Sequence, residues 1–334
     1  MRRESDSDRD TYYGLAVLKE PVWKAAVPAY FYVGGLAGAA AALGAAAQSA
    51  GSPAYRRLCH ITRAIAAGGA VLGSALLIED LGRPSRFLNM LRVFRPTSPM
   101  NLGSWILAGF GGCAALAAVL RKARSGPLVA IGDAAAMGAG VLGVPLAGYT
   151  GVLLANTAVP VWQGARTALP PLFMASAVTS AACALDLIEL NPIERRAVRR
   201  FGVAGKAAEL VLSKALEKEV GASKRAALAL RVGASGALWK GAKLLVAASL
   251  ALSLVPGAPR RLRRASAWLG TFGSLALRFG ILRAGTVSSR DPRATFEQQR
   301  AGPGGAEATG APPELAPRGV APPIAADRAA VHTT

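Results

Sequence analysis

The apolar residues of this chain, mostly Ala, Gly, Leu and Val, are gathered into blocks of about 18–25 positions. Short polar stretches separate the blocks and carry most of the charge. A block of that length crosses the roughly 30 Å hydrocarbon core as a helix. Inside lipid the backbone must satisfy its own hydrogen bonds, which a helix does. The pattern predicts spans at about Ala25–Ala47, Ile61–Ile78, Leu102–Leu120, Leu128–Leu154, Ala168–Leu187, Val203–Leu216, Gly236–Val255 and Ala265–Leu282. The sixth is the weakest, because Lys206, Glu209 and Lys214 interrupt it; its alternative is an amphipathic helix lying in the interface. The expected fold is an all-α integral membrane protein of about eight transmembrane helices, with small residues such as Gly34-Gly35-Leu36-Ala37-Gly38 allowing close packing into two four-helix bundles. Residues 1–24 read as a polar segment and interfacial lead-in, 25–284 as the membrane domain, and 285–334 as a disordered tail rich in Pro, Gly and Ala.

Charge adds an orientation. The net charge is +20, yet only 17% of residues are charged, where a soluble domain averages about a quarter. The arginines form short clusters between apolar blocks and lack any recognition-motif spacing, which argues against nucleic acid as the partner. The loops after the odd-numbered spans hold Arg56/Arg57, Arg121/Lys122/Arg124, Arg195/Arg196/Arg199/Arg200 and Arg260/Arg261/Arg263/Arg264. The positive-inside rule places these loops in the cytoplasm, with both termini and the even loops on the outer side of the cell membrane. The polar stretch Met1–Asp10 lacks an apolar signal region, so the first span is expected to direct insertion. Cys59, Cys113 and Cys183 are far apart and form no CxxC pair, so no iron–sulfur cluster is expected within this chain. His60 alone cannot supply a bis-histidine pair, so no haem is expected either.

One outer loop breaks the charge rule. Glu79 and Asp80 end the second span, Gly82 and Pro84 break the helix, and Arg83, Arg86, Arg92 and Arg95 follow. Phe87, Leu88, Leu91 and Phe94 alternate with the arginines at helical spacing. This predicts a short interfacial helix with one apolar and one cationic face. One reading is a snorkelling surface helix. The other is a docking surface for a partner subunit, with Asp80 paired to Arg83 or to a partner cation.

The same segment carries a family resemblance. Asp80-Leu81-Gly82-Arg83-Pro84, Arg86-Phe87-Leu88-Asn89-Met90-Leu91 and Pro96-Thr97-Ser98-Pro99-Met100 closely resemble the NrfD/polysulfide reductase membrane-subunit family. Tyr12-Tyr13-Gly14, Leu18-Lys19-Glu20-Pro21-Val22-Trp23, Gly103-Ser104-Trp105 and Gly148-Tyr149-Thr150-Gly151-Val152-Leu153-Leu154 agree with it, and the resemblance covers about residues 12–285. It implies a haem-free membrane subunit that exchanges electrons between a quinone, menaquinone ahead of ubiquinone, and a ferredoxin-like iron–sulfur subunit. That partner serves a molybdopterin catalytic subunit. It also singles out Tyr149, whose phenol can hydrogen-bond a quinone carbonyl, although a tyrosine at this depth alone reads as a belt residue. Where the family is expected to offer Asn or His in the first span, this chain has Tyr30; Asn156 is a further quinone-binding candidate.

Ionisable residues within spans are costly and are often functional. Asp133, Asp186, Glu189 and Glu209 read as a possible proton path, or else as members of internal ion pairs such as Glu209 with Lys206 or Asp133 with a loop arginine. Two other functions fit a polytopic chain. A secondary transporter would show internal repeats and helices broken at the midplane, and no convincing repeat is visible here. A structural anchor would hold a catalytic subunit at the membrane without quinone chemistry.

Overall fold

The computed structural model describes residues 17–301. The Tyr12-Tyr13-Gly14 stretch, the side chain of Phe87 and the tail beyond 301 lie outside the described residues. Eight long helices run through the described chain: α1 (Ala26–Ser49), α2 (Arg56–Leu81), α4 (Pro99–Val119), α5 (Gly126–Ala155), α7 (Leu169–Asp186), α8 (Pro192–Val220), α10 (Gly233–Leu254) and α11 (Arg260–Ser289). Four short helices connect them: α3 (Pro84–Met90), α6 (Pro160–Gly164), α9 (Lys224–Leu228) and α12 (Pro292–Ala301).

Seven long helices are apolar enough to cross a membrane; α8 is the eighth. Its path is fixed at both ends. At its start Asn191 Nδ2 donates to the Ala54 carbonyl (2.8 Å), on the side where α1 ends and α2 begins. At its far end Glu219 accepts the amides of Thr167 (2.9 Å) and Ala168 (2.8 Å), where α7 begins. The helix therefore runs antiparallel to α7 from one side of the bundle to the other. With 29 residues it extends about 44 Å at 1.5 Å per residue, longer than the Val203–Leu216 expected. Asn191 and Glu194 form a capping box at its N-terminus. Its hydropathy is low because Lys206 and Glu209 are turned into the protein, each about 1% exposed, while residues such as Val211 face outward.

The long helices form two sets of four. Helices α1, α2, α4 and α5 pack together, and α7, α8, α10 and α11 pack together. Helices α5 and α7, with α1 against α7 and α11, close the seam between the sets. Small residues set these distances. At the α1–α5 crossing a side chain on Gly38 would collide with the Gly143 carbonyl, and one on Gly143 with Gly38. Backbones in lipid gain contact by this kind of close approach.

One expectation is corrected here. Helical structure continues past residue 284, since α11 reaches Ser289 and α12 follows. Trp162, just after Pro160, is buried at 1% exposure. Helix α6 dips against α11, where Trp162 donates through Nε1 to the Ile281 carbonyl (2.8 Å). Trp23 stacks on it, ring centroids 5.4 Å apart. Buried indole rings find a partner for their N–H, and the carbonyl supplies it.

Candidate functional site

A cavity opens at the end of the first four-helix set where α2 leaves and α4 begins. The chain punctuates this end sharply. Gly82 closes α2 in the left-handed region (φ 71°), which glycine adopts without a steric cost. Pro84 starts α3, and Pro99, behind the N-cap Ser98, starts α4. Between them the segment is pinned by a residue the sequence reading passed over. Asn101 Nδ2 donates to the carbonyls of Met90 (2.6 Å) and Val93 (2.8 Å), while its Oδ1 accepts the Arg95 amide (2.6 Å). A lone Asn just inside a Ser-Pro helix start was the available signal.

The cavity has a volume of about 80 Å³. Tyr30, Asp80, Ser104 and Tyr149 supply its polar lining. Trp23, Phe31, Leu77 and Leu153 give it apolar walls, and Met90 at the end of α3 and Met100 at the start of α4 complete the lining. Tyr149 donates its hydroxyl to the Pro99 carbonyl. Its ring lies against Gly103, and a Cβ at that position would collide with the phenol. The Gly103-Ser104-Trp105 stretch thus acquires a reason: the bare backbone at 103 is what lets the tyrosine reach α4.

Asp80 is therefore corrected. It faces the cavity and makes no ion pair with Arg83 among the described residues. The arginines that follow it in sequence suggested the loop, but the last turn of α2 carries it back under that loop. Arg83, Arg86, Arg92 and Arg95 are exposed, together with Leu88 (66%), Val93 (55%) and Phe94 (57%). They form a mixed cationic and apolar ledge directly above the cavity. The expected short helix is α3, which ends at Met90, before Leu91, Arg92 and Phe94. Asn156 does not reach this place. It is exposed, and its amide donates to the Val152 carbonyl (2.8 Å) at the end of α5.

The four candidates for a proton path separate. Asp133 pairs with Arg63 of α2 at 2.5 Å, and Glu189 pairs with Arg260 at the surface. Asp186 and Glu209 lie on a different line, inside the second four-helix set. Asp186 lines a cavity of about 240 Å³ that also reaches Ser253, Arg263 and Ser266. Lys206 Nζ donates to Ser253 (2.7 Å) and Ser266 (3.3 Å), and not to Glu209 as the internal-pair reading had it. One turn further on, Glu209 accepts from Ser274 (3.4 Å) and feels the charge of Arg278. Arg278 is fully buried, its guanidinium 3.9 Å from the centre of the Phe173 ring and donating to the Phe173 carbonyl (2.9 Å).

The profile of the family described as "Polysulphide reductase, NrfD" matches residues 16–288. The chain belongs to the NrfD polysulphide reductase family. It is a multi-pass membrane protein and a membrane subunit of polysulfide reductase-like complexes. A comparison with curated proteins finds no match to this NrfD-family chain. Its matching motif stretches are not scattered over the fold. Those within the described residues meet at one end: Trp23, Asp80, Met90, Met100, Gly103 and Tyr149 all line the one cavity.

Proposed function

We propose that this NrfD-family subunit exchanges electrons between a membrane quinone and an iron–sulfur protein docked on the ledge over residues 80–99. The carrying observation is the stacking of the two features. The segment that holds the exposed arginines also supplies Met90 and Met100 to the roof of the Tyr149 cavity. A cluster-bearing partner on that roof would sit close to whatever occupies the cavity. The partner would be ferredoxin-like and would in turn serve a molybdopterin subunit, with menaquinone ahead of ubiquinone as the occupant. With the arginine-rich loops in the cytoplasm, the ledge and the cavity face outward.

The lining suits a quinone head group chemically. Apolar and aromatic walls fit the ring, and phenol hydroxyls at Tyr149 and Tyr30 can donate to carbonyl oxygens. When bound, the quinone supplies two-electron, two-proton redox chemistry. Tyr149 would turn its donor from the Pro99 carbonyl to the occupant, and Asp80 would take up or return a proton at its carboxylate. Trp23, Phe31 and Leu153 would keep water from the ring. At about 80 Å³ the cavity is well below the roughly 300 Å³ at which drug-sized ligands are held. Admission therefore requires the Met90–Pro99 segment to swing outward, a motion of the kind that loops make on the microsecond-to-millisecond scale. Asp186, Lys206, the serines beside it and Glu209 would form the polar route for protons from the arginine-rich side. Asp133 and Glu189 would serve as structural ion pairs.

Trp23 offers a direct test, because it lines the cavity and quinones quench indole fluorescence. Titration of the purified chain with a short-tailed quinone should give saturable quenching that Trp23→Phe removes. Quenching that rises linearly, equal in both proteins, would refute the site. For the ledge, Arg86→Glu with Arg92→Glu should release the iron–sulfur partner in a pull-down at low salt, since charge reversal turns steering into repulsion. Retention of the partner by the double variant would move docking elsewhere.

A further inference from the structure

On the opposite side of the protein lies a larger opening, unrelated to the Tyr149 cavity. Its volume is about 750 Å³, and it lies where the two four-helix sets meet: α2 and the end of α4 on one side, the α7–α8 turn on the other. Arg56, Arg57 and His60 reach it from the first two turns of α2, and Arg121 from the end of α4. None of the three arginines has an ion-pair partner among the described residues, whereas Arg63, one turn further along α2, is neutralised by Asp133. His60 Nδ1 is buried without a hydrogen-bond partner. Glu194, three residues beyond the lining Asn191, is fully buried and already accepts the Leu58 amide (2.7 Å) and the Asn191 amide (3.1 Å).

The charges are placed against their helix. Two arginines occupy the first turn of α2, which carries no acidic residue and whose N-cap, Tyr55, gives no side-chain bond. Cations at a helix N-terminus oppose the macrodipole. Glu194 answers this helix end at the Leu58 amide but pairs with none of the three arginines among the described residues, so a further anion beside them is stabilised. Below the cations the wall turns apolar, with Ile61 and Ile65 on α2 and Ile188 after α7. That half of the opening faces the lipid, since the apolar window of α2 is only 22% buried within the protein. A soluble anion would satisfy the arginines and leave the isoleucines bare.

We propose that this opening is a binding site for an anionic diacyl phospholipid, which bridges the two four-helix sets. The phosphate lies among Arg56, Arg57 and Arg121, where each contact is charge-assisted. The acyl chains run down the Ile61, Ile65 and Ile188 wall into the bilayer. Basic pockets between spans on the side with the positive loops hold lipid head groups in this manner. This site stands apart from the quinone reading and does not depend on it.

The test is thermal unfolding of the full chain in mild detergent with phosphatidylglycerol, cardiolipin, phosphatidylcholine or inorganic phosphate added. The two anionic lipids should raise the melting temperature by at least about 3 °C, because a ligand that binds only the folded state stabilises it. Phosphatidylcholine and inorganic phosphate should not. The triple variant Arg56→Gln, Arg57→Gln, Arg121→Gln should lose the response. Arg83→Gln, Arg86→Gln, Arg92→Gln removes the same charge from the opposite side and should keep it. An equal shift with phosphatidylcholine, an equal shift with phosphate, or an unchanged response in the first triple variant would each overturn the proposal. Should that variant not fold, a photoreactive phosphatidylglycerol on the wild-type chain decides. Labelling at 53–65 and 188–191 supports the site, and labelling confined elsewhere overturns it.

Discussion

Replacing Arg278 by methionine should destabilise the membrane domain by about 3–5 kcal/mol, the range found when one partner of a buried charge pair is removed. The guanidinium is fully buried, held over the Phe173 ring and bonded to the Phe173 carbonyl. Glu209, 1% exposed, lies on α8 within reach of its charge and near the hydroxyls of Thr179, Ser176 and Ser274, the last at 3.4 Å. Without Arg278 the carboxylate loses the nearest balancing charge and must stay ionised in a low-dielectric interior or take up a proton. Removing both charges is predicted to cost less than removing one. Glu209→Gln with Arg278→Gln should recover more than half of the loss, and the double-mutant cycle should give a coupling of at least about 1.5 kcal/mol. Denaturant or thermal unfolding in detergent reads both. A neutral effect of Arg278→Met would mean that the two residues do not act as a pair.

That pair also shows why the linear pattern was weakest at the sixth span. The hydropathy of α8 averages its two faces, and the average is too polar for a span. Burial is one-sided, with Lys206 and Glu209 inward and Val211 outward, and only the packing against α7 and α10 reveals which face the charges occupy. The seven apolar helices needed no such knowledge, because a lipid-length apolar run has one stable answer. Arg278 was legible as a charge within a span, yet its partner sits on another helix, 69 positions earlier by sequence number, and no local period links them.

The site divides in the same way. Tyr149 was found through its Gly-Tyr-Thr-Gly-Val-Leu-Leu context, and Tyr30 as the polar residue of the first span where the resemblance leads one to expect Asn or His; both line the cavity. Asp80 was assigned to the ledge because its neighbours in sequence are ledge residues. The direction of a helix's last turn is a three-dimensional fact, and it points Asp80 inward. Asn156, close to Tyr149 along the chain, was drawn in by sequence proximity, but α5 ends there and the side chain caps the helix. Asn101 drew no notice because its work is done on backbone atoms, which leave no trace in the residue types they belong to.

The second large effect concerns the phenol itself. Tyr149→Phe should lower quinone-linked electron transfer about 100-fold, the lower end of what a positioned proton donor contributes. The fold should survive, because the ring still lies on Gly103 and the hydroxyl's present partner, the Pro99 carbonyl, is close to the cavity. Gly103→Val should lower turnover at least as far, by a different route: the added side chain occupies the volume of the Tyr149 ring and drives the phenol away from α4. Gly112→Val on the same helix is the control, since a side chain there meets open space. The measurement is quinol oxidation by the reconstituted complex, read beside the melting temperature of each variant. If the hydroxyl matters through the quinone, Tyr149→Phe and Gly103→Val lose turnover while Gly112→Val keeps it, and the melting temperature of Tyr149→Phe stays near the wild type. If Tyr149→Phe turns over normally while Gly103→Val fails, the cavity matters for its shape alone and the phenol has no part in the proton transfer.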